Sequence, residues 1–157
     1  MARAYAYITA QTSTGYTIEA DVQGVMQKDK LPDAGVMANR YTMYLDGKTD
    51  ENGKYSVRLI SWEALPRIDV GVPFAYQSGQ WYRMKLTVDG GEVRGKVWPR
   101  GTPEPAQWTI TFKDPLPNTE GAAALYGYVS NAEANAPGSE IYYDNVAITP
   151  NTAGAKK

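Results

Sequence analysis

The chain of 157 residues is the size of one domain with a full core and too short for two of ordinary size. It contains neither Cys nor His, which excludes disulfides, thiolate chemistry, zinc sites of the usual ligands, Ser-His-Asp triads and imidazole acid–base catalysis. Sixteen Lys and Arg against 17 Asp and Glu leave a net charge of -1, so nothing global draws the protein to nucleic acid or an anionic membrane, and any charged binding surface is local.

Met1 to Thr9 lacks the apolar run of a signal peptide, and no stretch approaches a membrane span. A cytosolic protein, or a module whose signal lies elsewhere, is expected. Fifteen Gly and ten Pro punctuate the whole length and leave little room for long helices. Alternation then predicts strands in order. Tyr16, Ile18, Ala20 and Val22 alternate with Thr17, Glu19, Asp21 and Gln23. Tyr41, Met43 and Leu45 form a second strand, and a polar turn ending in Asn52-Gly53 leads to Tyr55, Val57 and Leu59, a hairpin with a long loop. Tyr82, Met84, Leu86 and Val88 alternate with Trp81, Arg83, Lys85 and Thr87. After Asp89-Gly90-Gly91, Val93, Gly95 and Val97 alternate with Glu92, Arg94, Lys96 and Trp98, and Asp-Gly between two such runs marks a tight hairpin. Trp108, Ile110 and Phe112 share one phase of a further strand, and Ala123 to Ser130 and Glu140 to Ile148 are the last two. Pro99 to Pro105 and Pro115 to Pro117 are loops, because proline cannot donate to a ladder. About ten short strands mean a sandwich or barrel occupying residues 1–150, and the tail 151–157 has nothing to pack.

Five segments together resemble concanavalin A-like (laminin G-like) jelly-roll modules: Gly15 to Val22, a strand from Ala34 to Tyr41, Gln80 to Leu86, Arg94 to Pro99 and Ile141 to Val146. The nearest likeness is to the module that follows a pyrroloquinoline-quinone-type β-propeller in some bacterial secreted proteins. Many relatives carry an N-terminal strand with its own Trp, which has no counterpart here. The resemblance implies an all-β, antiparallel two-sheet sandwich, one sheet concave, and an extracytoplasmic or secreted location beside neighbouring domains. It leaves function open, because the fold hosts lectins, glycosidases and adhesion domains alike.

Three constellations carry candidate chemistry. Glu19 and Asp21 lie on one face of one strand, about 6.6 Å apart by the strand rise, near the lower edge of the separation inverting glycosidases use. The run Glu19 to Gln23 also looks like the acid-rich strand of laminarinase-type glucanases, with Gln23 where such a strand has a Glu; Gln has no proton to give. Acidic residues on a solvated face are the plain alternative. Second, Trp81, Arg83, Lys85, Arg94, Lys96 and Trp98 share one face with only Glu92 opposing, a basic strip between two indoles that suits a glycan. The alternative is a solvated face on which Lys and Arg stems cover apolar surface. Third, Asp144 shares a phase with Val146 and Ile148, so a buried carboxylate is expected there, satisfied by backbone amides or a Tyr hydroxyl. Related modules hold structural calcium with an Asp in the matching place, but one Asp is a single ligand of six to eight. Weaker candidates are Asp50-Glu51-Asn52-Gly53 as a cation loop, Trp62-Glu63 and Arg67-Ile68-Asp69 as a ligand wall, and Tyr126 with Tyr128 on one face.

These features favour a non-catalytic carbohydrate-binding or surface-interaction module whose partner is a polysaccharide or glycan, with no nucleic acid, membrane insertion or required cofactor. The alternatives are a glycoside hydrolase using Glu19 and Asp21, and a purely structural assembly module.

Overall fold

Period-two alternation decides which side chains meet, because successive residues of a strand point to opposite faces. In the computed structural model, which describes residues 2–61, 68–130 and 138–151, the alternating runs become eleven strands and no helix. They are β1 (Ala2–Tyr7), β2 (Tyr16–Val25), β3 (Asp33–Ala38), β4 (Tyr41–Asp46), β5 (Ser56–Ser61), β6 (Ile68–Pro73), β7 (Trp81–Asp89), β8 (Glu92–Pro99), β9 (Ile110–Lys113), β10 (Ala124–Val129) and β11 (Glu140–Pro150). A six-stranded sheet runs β1-β10-β3-β4-β5-β6 and a five-stranded sheet β11-β2-β7-β8-β9, with every neighbouring pair antiparallel.

The apolar phase of each run lies between the sheets. Ile18, Ala20 and Val22 of β2 and Tyr82, Met84, Leu86 and Val88 of β7 meet Val36, Met43, Leu45, Val57 and Leu59 from the other sheet, all essentially sealed from solvent. Burying each such aliphatic chain contributes roughly 1.5–3 kcal/mol before entropy. The β7–β8 hairpin has the expected register, Val88 opposite Val93 and Asp89 opposite Glu92, and Gly90 takes the left-handed conformation its two-residue turn demands. Tyr82, Met84, Leu86, Val88, Val93 and Val97 are all buried.

Four local departures from simple alternation matter. Asn39 and Arg40 both have positive φ, so the expected Ala34 to Tyr41 strand breaks into β3 and β4 at a tight turn. The edge strands β1 and β6 extend the six-stranded sheet; β1 is almost wholly exposed, whereas β6 alternates more buried Ile68, Val70 and Val72 with exposed Asp69, Gly71 and Pro73. Trp108 precedes β9 and leaves its phase: Thr109 Oγ1 accepts the Val97 N–H at 3.0 Å, and the Trp108 ring lies under Arg94 and Lys96 instead of facing the core with Ile110. Asn151, expected in the unpacked tail, is pinned: its Nδ2 donates to the Val88 carbonyl and its Oδ1 accepts from Thr17 Oγ1. The rest of the tail lies outside the described residues.

Candidate functional site

The outer face of the five-stranded sheet gathers the side chains that the inner core rejects. β7 contributes Trp81, Arg83 and Lys85, β8 contributes Arg94, Lys96 and Trp98, and β2 contributes Glu19 and Asp21. Cross-strand pairing sets Arg83 between Asp21 and Trp98, and Lys85 between Glu19 and Lys96. The six side chains expected to share a face do share it.

Glu92 is not their main counter-charge. It sits at the β7–β8 turn, while Glu19, Asp21 and Glu104 supply the neutralising carboxylates. Asp21 is the hub. Its Oδ1 accepts from Arg83 Nη1 at 3.1 Å, and its Oδ2 from Asn145 Nδ2 at 2.7 Å and Arg100 Nη1 at 3.5 Å, which leaves it only 3% exposed. Arg83 also donates to the Asn145 carbonyl at 2.7 Å and approaches Glu19 at 3.5 Å. Gln23 donates to the Gly79 carbonyl at 2.8 Å. Glu19 and Asp21 therefore face arginines on their own protein.

Residues 100–109 return over β8 and bring Arg100 and Glu104, which periodicity does not place, and Trp108, which it puts in the phase of Ile110. Glu104 Oε2 lies 2.9 Å from Lys96 Nζ and 3.3 Å from Lys85 Nζ, and these contacts, the Lys96 hydrogen bond first, hold its carboxyl below the usual carboxylate range. Lys96 Nζ also donates to the Pro105 carbonyl at 2.7 Å. The Trp108 ring centre lies 5.0 Å from the Arg94 guanidinium and 4.7 Å from Lys96 Nζ, and Arg100 stacks over Trp81 at 4.4 Å, each within cation–π range. Trp81 and Trp108 are half-buried, whereas Trp98 is only 8% exposed, so Trp98 packs as part of the floor.

Asp144 is not buried. A β-bulge between Asp144 and Ala147, with Asn145 at positive φ, inserts an extra residue and reverses the phase, so Ile148 pairs with core-facing Ile18 while Asp144 pairs with Asp21 on the outer face. The Asp144 Oδ1 accepts the Asn145 N–H at 2.8 Å, and the bulge aims the Asn145 amide at Asp21. Among the described residues no group of three or more acidic side chains is placed to hold a metal ion. Asp50 organises its own loop, accepting the Asn52 and Lys54 N–H groups. Trp62, Glu63 and Arg67 lie outside the described residues; Asp69 pairs with Arg58.

Tyr126 and Tyr128 belong to the opposite sheet. Tyr5, Tyr126, Gly35, Tyr44 and Arg58 form one cross-strand row over β1, β10, β3, β4 and β5, and the Tyr126 ring touches Tyr5 at 5.1 Å and Tyr44 at 5.4 Å. Tyr126 and Tyr44 are buried, while Tyr7, stacked on Tyr5, is 56% exposed. Beside the row a pocket of about 390 Å³ is lined by Asp33, Asp46, Lys48, Tyr55 and Tyr128 among others. Burial, then repulsion and hydrogen bonding with Asp46, raise the Asp33 carboxyl to about 6 against the Gly47 N–H bond that lowers it.

No protein-family model and no curated protein matches the chain. Solved structures do. The carbohydrate-binding module CBM66 from Bacillus subtilis aligns with TM-score 0.63 and 12% identity over 93% of this chain and 81% of that one. Sheep galectin-11 in complex with glycerol aligns with TM-score 0.54 and 10% identity over 94% and 96%. An alginate lyase from Klebsiella pneumoniae aligns with TM-score 0.57 and 12% identity over 88% and 60%. Strand order, antiparallel pairing and these likenesses agree on one architecture: the chain is an antiparallel two-sheet jelly-roll sandwich of the kind seen in carbohydrate-binding modules and galectins.

Proposed function

We propose that the domain is a non-catalytic glycan-binding module whose ligand lies along the outer face of the five-stranded sheet, between Trp81 and Trp108. The observation that carries this reading is the pair of half-buried indoles, each with a cation at its ring, bracketing Arg83, Lys85, Arg94 and Lys96. Indole faces stack on the apolar faces of sugar rings, and guanidinium and ammonium groups donate to hydroxyls or anionic substituents. The shared fold with proteins named as carbohydrate-binding modules and galectins supports the ligand class. Attachment to a larger exported chain, as in bacterial proteins where such modules follow a pyrroloquinoline-quinone-type β-propeller, belongs to the same proposal. The non-catalytic part rests on Asp21, which two arginines and an amide enclose.

A second reading places the glycan on the six-stranded sheet, favoured by exposed Tyr7 stacked on Tyr5 and by the accessible Arg58–Asp69 pair. A glycan array with and without calcium, followed by titration of the best ligand, separates the two. Stacked rings contribute on the order of 1 kcal/mol each, so Trp81→Ala and Trp108→Ala each weaken binding several-fold under the first reading. Loss on Tyr7→Ala with Arg58→Ala, and none on the tryptophan changes, moves the site to the other sheet. Binding to no glycan leaves an assembly role, and release of reducing ends restores the enzyme alternative.

A further inference from the structure

Lys85 and Lys96 are directly opposite each other across β7 and β8. Like charges in that position repel, and an anion placed between them offsets the repulsion. The anion comes from outside the sheet: one carboxylate oxygen of Glu104 bridges both, at 3.3 and 2.9 Å. Arg94 adds a third cation at the same place. Its guanidinium lies over Trp108, it has no carboxylate partner among the described residues, and its Nε is buried without a hydrogen-bond acceptor. Two of these cations, Arg94 and Lys96, thus lie over one indole, and two, Lys85 and Lys96, share one carboxylate, whose own side chain is 39% exposed.

From this arrangement we infer that Lys85, Lys96 and Arg94 form a carboxylate site for uronate residues of an acidic polysaccharide, and that Glu104 fills it in the free chain as a displaceable internal stand-in. The chemistry Glu104 satisfies is that of a carboxylate held by two ammonium groups beside a ring, and a hexuronate presents a carboxylate next to a sugar face in the same way. Displacement asks little of the fold. The segment is anchored at its base, where the Arg100 N–H donates to the Trp81 carbonyl at 2.9 Å and Thr102 Oγ1 to the Pro99 carbonyl at 2.7 Å, so Glu104 leaves by turning its side chain. Its own side chain is 39% exposed and its contact with Lys85 is a partly exposed ion pair, which water screens. The uronate assignment rests on the glycan-binding reading; the stand-in role rests on Glu104 alone.

The test titrates the wild-type chain, Glu104→Gln and Glu104→Asp with tetragalacturonate and with a neutral tetrasaccharide at low salt. Glu104→Gln is expected to bind tetragalacturonate about tenfold more tightly, with the neutral sugar unchanged, and the gain shrinks as salt screens the cations. Glu104→Asp, one methylene shorter, gives a smaller gain, and Lys85→Ala combined with Lys96→Ala removes uronate binding. Equal uronate affinity in wild type and both Glu104 variants overturns the inference, even if Trp81→Ala weakens a neutral glycan and the glycan-binding reading stands. An equal gain for the neutral sugar, or poly-glutamate bound as tightly as the uronate, also overturns it.

Discussion

Tyr44 and Tyr126 stand on either side of Gly35 in one cross-strand row, and their rings meet at a centroid separation of 5.4 Å. A side chain at position 35 has no room: a Cβ there would lie 2.0 Å from the Met43 carbonyl oxygen and 2.6 Å from the Tyr44 Cα. Both are backbone atoms that cannot swing aside. Gly35→Ala is therefore expected to destabilise by about 3 kcal/mol, at the upper end of ordinary overpacking. For a chain of this size that lowers Tm by roughly 6–12 °C in a thermal melt. An unchanged Tm contradicts the β10–β3–β4 register.

Asp21 gathers Arg83, Arg100 and Asn145 on one buried carboxylate. Asp21→Ala strands two cations and an amide; Arg83 keeps Glu19 and the Asn145 carbonyl, so the expected cost is about 2 kcal/mol, below that of breaking an isolated buried pair. Asp21→Asn keeps an acceptor and costs less. Urea denaturation of both variants checks the order. Glu19→Gln, at the solvent-accessible end of the cluster, changes stability by under about 0.5 kcal/mol.

Calcium chelation is expected to leave the melting curve unmoved. A metal bound only by the native state adds stability that EDTA removes, so a Tm that falls on chelation in the same buffer places an ion in the protein. Asp144→Ala is expected to cost under about 0.5 kcal/mol, because its carboxylate is exposed and, among the described residues, accepts only the Asn145 N–H.

Asp33 links stability to pH in the unusual direction for an acid. Its carboxyl is raised to about 6 by burial and by Asp46, so the folded state favours the protonated form. The stabilisation is complete below the unfolded value near 4 and is lost as pH rises through 6. Asp33→Asn keeps an oxygen to accept the Gly47 N–H at 2.8 Å and removes the charge. The variant is expected to melt several degrees above wild type at pH 7.5, by on the order of 2 kcal/mol, and level with it at pH 4. A gain of the same size at both pH values rules out titration of Asp33 as the cause.

What the sequence determined by itself was the part of the fold set by unbroken period-two runs and by the Asp89-Gly90-Gly91 turn. The inner row Tyr82, Met84, Leu86 and Val88, the Asp89-Gly90-Gly91 turn and the one-sided display of Trp81, Arg83 and Lys85 follow from the geometry of an extended chain, in which neighbours in sequence settle which face a residue takes. The partners of those residues were decided by the tertiary structure alone. Asp21 meets Arg83 across 62 residues because β2 lies beside β7 in the sheet, and Glu104 reaches Lys85 because a proline-rich segment returns over β8; neither path leaves a mark in local pattern. Asp144 shows the same limit from the other side. One extra residue in the bulge leaves the run Tyr142 to Ile148 looking continuous, yet it turns Asp144 from the core to the surface, because the register with β2 is a property of the pair of strands and of neither strand alone.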